Sequence, residues 1–183
     1  MFYKVVLKDI VRVPPNQFGD NIETSILSQI REKYTGFTSS NLGVVIDVVR
    51  VEDFGEGIII PGDGASYYET KFEVVALRLS LQESIVGKIR DIADFGAFIT
   101  LGPIEGMIHV SQTMDDFVSF SEEKVLQGKE KGKVLKVNDV CRAKVIAISF
   151  KDVSNPKIGL TMRQPFLGTL NDVKNELVGE AAK

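Results

Sequence analysis

Hydrophobic and polar residues alternate in several separate stretches of the chain, which predicts a fold built mainly from β-strands. Phe2 to Val13 alternates and stops at Pro14-Pro15, because proline lacks the N–H that a β-ladder needs. Residues 44–51 form a nearly continuous β-branched run, which is typical of a buried strand, and residues 72–79 alternate again. The pattern therefore predicts three strands in the first 80 residues.

A helix is predicted between the first two of these strands, because apolar residues recur there at helical spacing. These residues are Ile22, Ile26, Leu27 and Ile30. Asp20 is the predicted N-cap, and Gly36 lies just past the predicted end. We expect the helix to cover one face of the sheet, so residues 1–80 should form a small α+β domain.

A glycine-rich segment with three consecutive isoleucines lies between the second and third strands, and we call it the tip. Its candidate docking residues are Gly55, Gly57, Ile58, Ile59, Ile60, Pro61, Gly62 and Gly64. In a regular strand at least one of the isoleucines would face outward, and such a projection needs a partner to cover it. The alternative is a short hairpin that folds back on its own sheet. The glycine spacing does not match that of a phosphate-binding loop.

Residues 81–183 are predicted to form a second domain, a small all-β barrel. Residues 87–111 give three short strands with turns at glycine and proline, and residues 140–149 and 158–162 give the closing strands. A last helical stripe follows near the C-terminus, at Leu170, Val173 and Leu177.

The connection from Thr113 to Lys136 is longer than a minimal barrel needs, and we call it the insert. It carries four large apolar residues, which we expect to pack part of the insert downward. They are Met114, Phe117, Val118 and Phe120.

Two aromatic residues, Phe95 and Phe98, are the candidates for chemistry on the barrel. Gly96 lets the backbone bend sharply or bulge, and a bulge could place both rings on one face, although residues three apart on a regular strand point to opposite faces. Exposed rings beside Lys88, Arg90 and His109 would let unpaired bases stack, at roughly 1–3 kcal/mol per base. The competing interpretation is that both rings belong to the core, where phenylalanine is commonly found.

Five segments of the barrel resemble, in order, the S-one RNA-binding domain. They are Gly87 to Ile89, Asp94 to Phe98, Glu105 to Ser111, Val137 to Val145, and Lys157 to Met162. The resemblance implies that Phe95, Phe98, His109 and Lys157 line an RNA-binding face. Ser149 stands where many members of the family have aspartate. We add Arg163, just beyond the last segment, as a further candidate contact to phosphates or base edges.

The whole chain is similar to the larger stalk subunit of archaeal RNA polymerase, subunit seven (E), and its counterpart in eukaryotic RNA polymerase II. The similarity rests on Val11 to Pro15, the tip, Met114 to Phe117 and Met162 to Gly168. It implies a truncated ribonucleoprotein-like domain, an antiparallel sheet with one main helix, followed by an oligonucleotide-binding barrel. It also implies a smaller partner, stalk subunit four (F), docking of the tip on the polymerase core near the clamp, and binding of single-stranded RNA.

The charge is close to balanced, at −3 over 183 residues, which argues against a generally basic nucleic-acid binder. It is unevenly placed, however, because residues 124–163 hold ten basic and three acidic residues. Such a basic stretch can orient a polyanion even when the total is near zero. A solvated lysine-rich loop is an equally good interpretation of Lys129, Lys131 and Lys133.

No catalytic residue, metal site or cofactor is predicted. Cys141 and His109 are the only residues of their types, so no zinc spacing exists, and a lone cysteine suits a reducing cytoplasm. No apolar run approaches a membrane span. A nuclease built on Asp115-Asp116 is disfavoured because adjacent strand residues point apart. A scaffold whose barrel binds only protein stays open as the alternative function.

Overall fold

The computed structural model describes residues 1–19, 21–121, 123–150, 152 and 156–181, and the chain divides into two compact units, Met1–Arg78 and Leu79–Lys183. The first unit contains three twelve-residue strands, two short ones and one long helix. In chain order these are β1 (Phe2–Val13), α1 (Ile22–Tyr34), β2 (Thr38–Ser39), β3 (Gly43–Phe54), β4 (Ile58–Ile59) and β5 (Ser66–Leu77).

The sheet of the first unit has the order β1-β5-β3-β2, and every pairing in it is antiparallel. One face carries the core, in which α1 buries Ile26 and Ile30 against the sheet. From the sheet side Val48, Phe72 and Val74 are fully buried. The helix therefore covers one face, as its apolar stripe predicted.

The helix begins one residue later than its capping pattern suggested. Asn21 is the N-cap, and its side chain accepts a hydrogen bond from the Glu23 backbone N–H at 3.1 Å. Asp20, the predicted cap, lies outside the described residues. Both types of side chain cap helices well, so the sequence could not choose between two neighbours.

The second unit contains nine strands and two helices within its described residues. They are β6 (Ser84–Ala93), β7 (Gly96–Thr100), β8 (Glu105–His109), α2 (Val110–Thr113), β9 (Val118–Ser121), β10 (Val125–Gly128), β11 (Val134–Lys136), β12 (Val140–Ser149), β13 (Lys157–Thr161), β14 (Gly168–Thr169) and α3 (Leu170–Ala181).

Five of these strands close a barrel in the order β13-β8-β7-β6-β12, because β12 also pairs with β13. Only the pairing of β8 with β13 is parallel among the described strands of the barrel. The interior is filled by fully buried side chains, including Ile89, Ile99, Ile108 and Leu160, and Cys141 is also buried. The α+β first unit and the closed barrel confirm the predicted fold class.

The insert forms a small antiparallel sheet of its own, in the order β11-β10-β9. Met114, Leu126 and Leu135 are buried, so part of the insert packs down as expected. Phe117 and Phe120 are exposed, however, and their predicted inward orientation is wrong. Phe117 precedes β9, and alternation over the four residues of β9 is too short to determine whether Phe120 faces inward.

Candidate nucleic-acid interface

The rings of Phe95 and Phe98 contact each other on the outside of the barrel. Their centroids are 5.9 Å apart and the ring planes meet edge to face at 85°. Phe95 is 49 % exposed, and Phe98 is half-buried. Neither ring lies in the barrel core, so both are within reach of a ligand.

The rings share a face because Phe95 is not in a strand. β6 ends at Ala93 and β7 begins at Gly96, so Asp94 and Phe95 form the two-residue turn between them. The Asp94 carboxylate accepts a hydrogen bond from the Phe95 backbone N–H at 2.9 Å, which fixes the turn. The predicted bulge at Gly96 is absent from this hairpin, and its irregularity lies on β6, between Ile89 and Asp91.

Glycine is required at position 96 because β7 and β8 approach each other closely there, and not because the backbone bends. A β-carbon at this position would lie 2.2 Å from the backbone carbonyl oxygen of Ile108, a distance that real side chains do not adopt. Gly96 therefore lets β7 approach β8 closely, and it holds the start of β7 beside His109, its partner in the ladder.

Phe98 lies in an outward row that crosses four strands. Asp91 is its partner on β6 and Met107 its partner on β8, and Met107 in turn pairs with Gly159 on β13. Met107 is exposed and Gly159 has no side chain, so the surface beside Phe98 is apolar and open on that side.

His109 is exposed at the end of β8, next to the aromatic pair. Its Nδ1 lies 2.8 Å from the Ser111 hydroxyl and accepts a hydrogen bond from the Ser111 backbone N–H at 3.3 Å. These contacts fix the ring as the cap of α2 and leave its Nε2 edge available.

The four candidate cations of the face differ in their surroundings. Lys88 and Lys157 are exposed, and no ion pair within the described part of the chain includes them. Arg90 pairs with Glu105, and Arg163 pairs with Asp115 at 3.1 Å. Lys88 and Lys157 thus present charges without an ion-pair partner among the described residues, whereas the two arginines already have one.

Acidic groups also lie on this face and limit its positive charge. Lys124 of the insert pairs with Asp91 at 2.8 Å and holds the pKa of that carboxyl below its usual range. The ion pair connects the insert to β6 beside the aromatic pair. The interface is therefore apolar and aromatic at its centre and near neutral around it.

Asp115 and Asp116 are engaged in two different networks. Asp116 accepts hydrogen bonds from the backbone N–H groups of Phe117, Glu130 and Lys131, and these bonds lower its pKa. Asp115 holds the side chains of Lys131 and Arg163. Among the residues that the structure describes, no group of three acidic, histidine or cysteine side chains could hold a metal.

The tip combines the two arrangements that its sequence left open. Ile58 and Ile59 pair with β5 as the short strand β4, so the backbone does fold back on its own sheet. The side chains nevertheless face outward, with Ile58 67 %, Ile59 61 % and Ile60 46 % exposed. Gly57 permits this hairpin, because a β-carbon there would lie 2.5 Å from the Ser66 hydroxyl.

An ion pair ties the tip to β1. Arg12 donates two hydrogen bonds to the Asp63 carboxylate, at 2.7 and 2.9 Å, and the Tyr67 hydroxyl donates a third. Arg12, and after it Tyr67, lowers the pKa of Asp63 to about 2. This two-pronged geometry is the strongest form of arginine–carboxylate contact, so the tip is held in one arrangement.

We expect Asp63→Asn to loosen the tip without unfolding the first unit. A carboxyl whose pKa is lowered from 3.8 to about 2 contributes order fully above its unfolded pKa and loses it as the pH falls towards 2. Heteronuclear NOE values for residues 58–65 at pH 6 should therefore fall in the variant. The wild type should show the same loss only on acidification below about pH 4.

Asp53→Asn is the matched control, because Asp53 is an exposed carboxylate on β3 outside the ion pairs of the described chain. It should leave the tip as ordered as in the wild type. Equal NOE values for Asp63→Asn and the wild type at pH 6 would contradict a role for the Arg12 pair in ordering the tip.

The structure points to Met107 and Phe117, which the sequence did not single out for binding, and to Lys129, for which the sequence left a polyanion contact and a solvated loop open. Met107 continues the apolar row beside Phe98, Phe117 is exposed on the insert, and Lys129 lies next to Phe117 through a backbone hydrogen bond of 2.9 Å. Met107 lies in a segment that resembles the S-one domain, but only the fold shows that it lies opposite Phe98. No described helix is long and apolar enough to cross a membrane.

Two family models match the chain, one for each unit. Residues 8–64 match the "SHS2 domain found in N terminus of Rpb7p/Rpc25p/MJ0397", and residues 80–154 match the "S1 RNA binding domain", which is the S-one domain. The second match contains the aromatic pair and His109.

Curated relatives match over nearly the full length of the chain. "DNA-directed RNA polymerase subunit Rpo7" of Saccharolobus solfataricus is 34 % identical over 172 residues, which are 93 % of this chain and 96 % of that protein. "DNA-directed RNA polymerase II subunit RPB7" of Glycine max is 26 % identical over 94 % of this chain and 98 % of its own length.

Among solved structures, GSP13 of Bacillus subtilis resembles the chain with a TM-score of 0.37 at 26 % identity. The resemblance covers 47 % of this chain and 57 % of GSP13. A TM-score of this size carries no weight for the chain as a whole.

Proposed function

The chain belongs to the family of DNA-directed RNA polymerase subunits Rpo7 and RPB7, whose members are non-catalytic subunits, and from this premise we propose a division of labour between its two units. The first unit docks on the polymerase core near the clamp through its tip. The second unit binds emerging single-stranded RNA on its barrel. A smaller subunit, stalk subunit four (F), joins the chain to form the stalk.

The observation that carries RNA binding is the contact of Phe95 with Phe98 on the outside of the barrel. An exposed pair of rings gives two stacking surfaces for unpaired bases, and stacking tolerates any base. His109 beside the pair, together with Lys88 and Lys157, would meet base edges and phosphates. Because few cations are free, we expect modest affinity that falls as salt is added.

The observation that supports docking is the exposure of three consecutive isoleucines on an ordered hairpin. Apolar side chains on a tip that is already held by Arg12 and Asp63 lose little further freedom on binding. Inserted into a groove of the core, the tip would bias the clamp towards closure.

The scaffold without RNA binding is the second candidate. It is favoured by the acidic groups on the barrel face, since Asp91 and Glu105 each hold a cation that could otherwise meet a phosphate. Under this alternative the barrel would bind only protein.

Two measurements on the full-length chain test these functions. Co-purification followed by mass measurement should recover a smaller companion and the polymerase core together with the chain. Fluorescence anisotropy with a labelled twelve-nucleotide oligouridylate should give saturable binding that weakens with salt. Recovery of the complex with no RNA binding would leave the scaffold as the function. Recovery of the chain alone would contradict the proposal that the chain forms a stalk with a smaller subunit.

A further inference from the structure

A cleft of about 500 Å³ lies in the second unit beside the aromatic pair, between α2 and the insert. Its lining includes Val110, Ser111, Phe117, Lys131 and Arg163. Arg163 is already a candidate RNA contact, but the function proposed above makes no use of Phe117 or of the insert around this cleft. The walls of the cleft combine an aromatic ring, a hydroxyl group, two cations and three acidic side chains, which are those of Asp115, Asp116 and Glu130.

Phe117 is the most exposed aromatic side chain among the described residues, at 73 %. Its backbone is nevertheless fixed on both sides. The N–H of Phe117 donates to the Asp116 carboxylate at 2.6 Å, and its carbonyl oxygen accepts from the Lys129 N–H at 2.9 Å. Since Asp116 is itself held by the backbone of Glu130 and Lys131, the ring projects from a rigid turn.

Hydrogen bonds connect the lining of the cleft to the residues around the aromatic pair. The backbone N–H of Val110, at the edge of the cleft, donates to the carbonyl oxygen of Phe95 at 2.9 Å. Ser111, also in its lining, is bonded to His109. The lining of the cleft is therefore bonded both to the turn that carries Phe95 and to His109.

Lys129 supplies a cation without an ion-pair partner among the described residues next to Phe117, within a surrounding whose other charges are of both signs. Lys129 is exposed, and none of the ion pairs of the described chain includes it. Lys131 and Arg163 share the carboxylate of Asp115. Asp116 and Glu130 also line the cleft, so with Lys129 three cations lie beside three carboxylates. Glu130 is the acidic residue between the two lysines, and its backbone N–H donates to Asp116.

We propose that Phe117 and Lys129 form a third nucleotide site, in which the ring stacks on a base and the ammonium group contacts the adjoining phosphate. The site extends the path of single-stranded RNA from Phe95 and Phe98 onto the insert. This proposal rests on the proposed RNA binding of the barrel. It adds that the insert binds a further nucleotide of the same RNA.

The first test asks whether RNA binding requires an aromatic side chain at position 117. The full-length chain and its variants are titrated with labelled twelve-nucleotide oligouridylate by fluorescence anisotropy. Phe117→Leu should weaken binding about fivefold or more, whereas Phe117→Tyr should stay near the wild type, because leucine keeps the bulk but loses the ring face. Phe120→Ala is the matched control, since Phe120 is an exposed ring on the same insert outside the cleft, and it should change affinity less than about twofold.

Salt dependence separates the two residues of the site. Lys129→Ala should reduce the slope of log affinity against log salt by about 0.7, the value for one phosphate contact on a single strand. Phe117→Leu should lower affinity and leave the slope unchanged, because it removes no charge. RNA that carries 5-iodouridine should form photocrosslinks to Phe117 as well as to Phe95 or Phe98.

The outcomes distinguish this site from the proposed function on which it rests. Wild-type affinity in Phe117→Leu, with RNA binding lost when Phe95 and Phe98 are replaced, would overturn the third site alone. Absence of RNA binding by the wild type would overturn both. Wild-type RNA affinity together with loss of the polymerase complex in Phe117→Leu would assign the ring to a protein contact and overturn the site.

Discussion

Replacing Phe95 and Phe98 together by alanine should lower the affinity for single-stranded RNA by about 30-fold or more. Each base stacked on an aromatic ring contributes roughly 1–3 kcal/mol, so even the lower value at two rings gives about 2 kcal/mol. The loss should be similar for oligouridylate and for a mixed sequence, because stacking does not read base edges. Anisotropy titrations of the full-length variant and the wild type measure it.

The variant should remain folded, because the barrel core is formed by other side chains, among them Ile99 and Ile108. A thermal melt followed by circular dichroism checks this. Phe54→Ala is the matched control, since Phe54 is also partly exposed and meets Tyr68 edge to face in the first unit. An unchanged RNA affinity in the folded double variant would refute the stacking role of the pair.

The long elements of the fold could be predicted because their periodicity repeats over many residues. β1 alternates for twelve residues before two prolines, and α1 repeats its apolar positions over more than three turns. In such elements every position supports the same assignment, and the burial of the helix against the sheet follows from the pattern. The barrel strands were placed by alternation together with turn residues, and the family models match both units.

Short elements and long-range pairs could not be predicted in the same way. The insert strand β9 has four residues, so whether Phe120 faces in or out depends on how the insert meets the barrel. The partners of Arg90 and Arg163 are 15 and 48 residues away in sequence, and no local sequence pattern predicts these ion pairs. The sequence therefore identified candidate cations without showing which of them are already paired.

The two rings of the aromatic pair share one face, as expected, but the backbone geometry that places them there differs from the expected bulge. The rings of Phe95 and Phe98 were expected on one face because of a bulge at Gly96. They share a face because Phe95 occupies a two-residue turn, where the alternation of a strand does not apply. The sequence Asp-Phe-Gly is compatible with either geometry, and only the pairing of Ala93 with Gly96 distinguishes them.

Replacing Ile58, Ile59 and Ile60 together by serine should release the chain from the polymerase core while leaving its RNA affinity unchanged. Burying an isoleucine fully is worth about 1.5–3 kcal/mol, and roughly half of each side chain remains to be buried, so the three contribute about 3 kcal/mol. That corresponds to about 100-fold in the dissociation constant. The fold should tolerate the change, because all three side chains are exposed.

Biolayer interferometry of the purified stalk against immobilised core polymerase measures this loss, and anisotropy with oligouridylate measures the retained RNA binding. Triple replacement of Phe2, Val6 and Ile10 by serine is the matched control, because these are equally exposed apolar residues of the same unit, on the outward face of β1. We expect it to keep core binding. The reverse result, with the tip variant bound and the β1 variant released, would move the docking surface to the open face of the sheet, and undiminished binding of both would show that neither apolar surface anchors the chain.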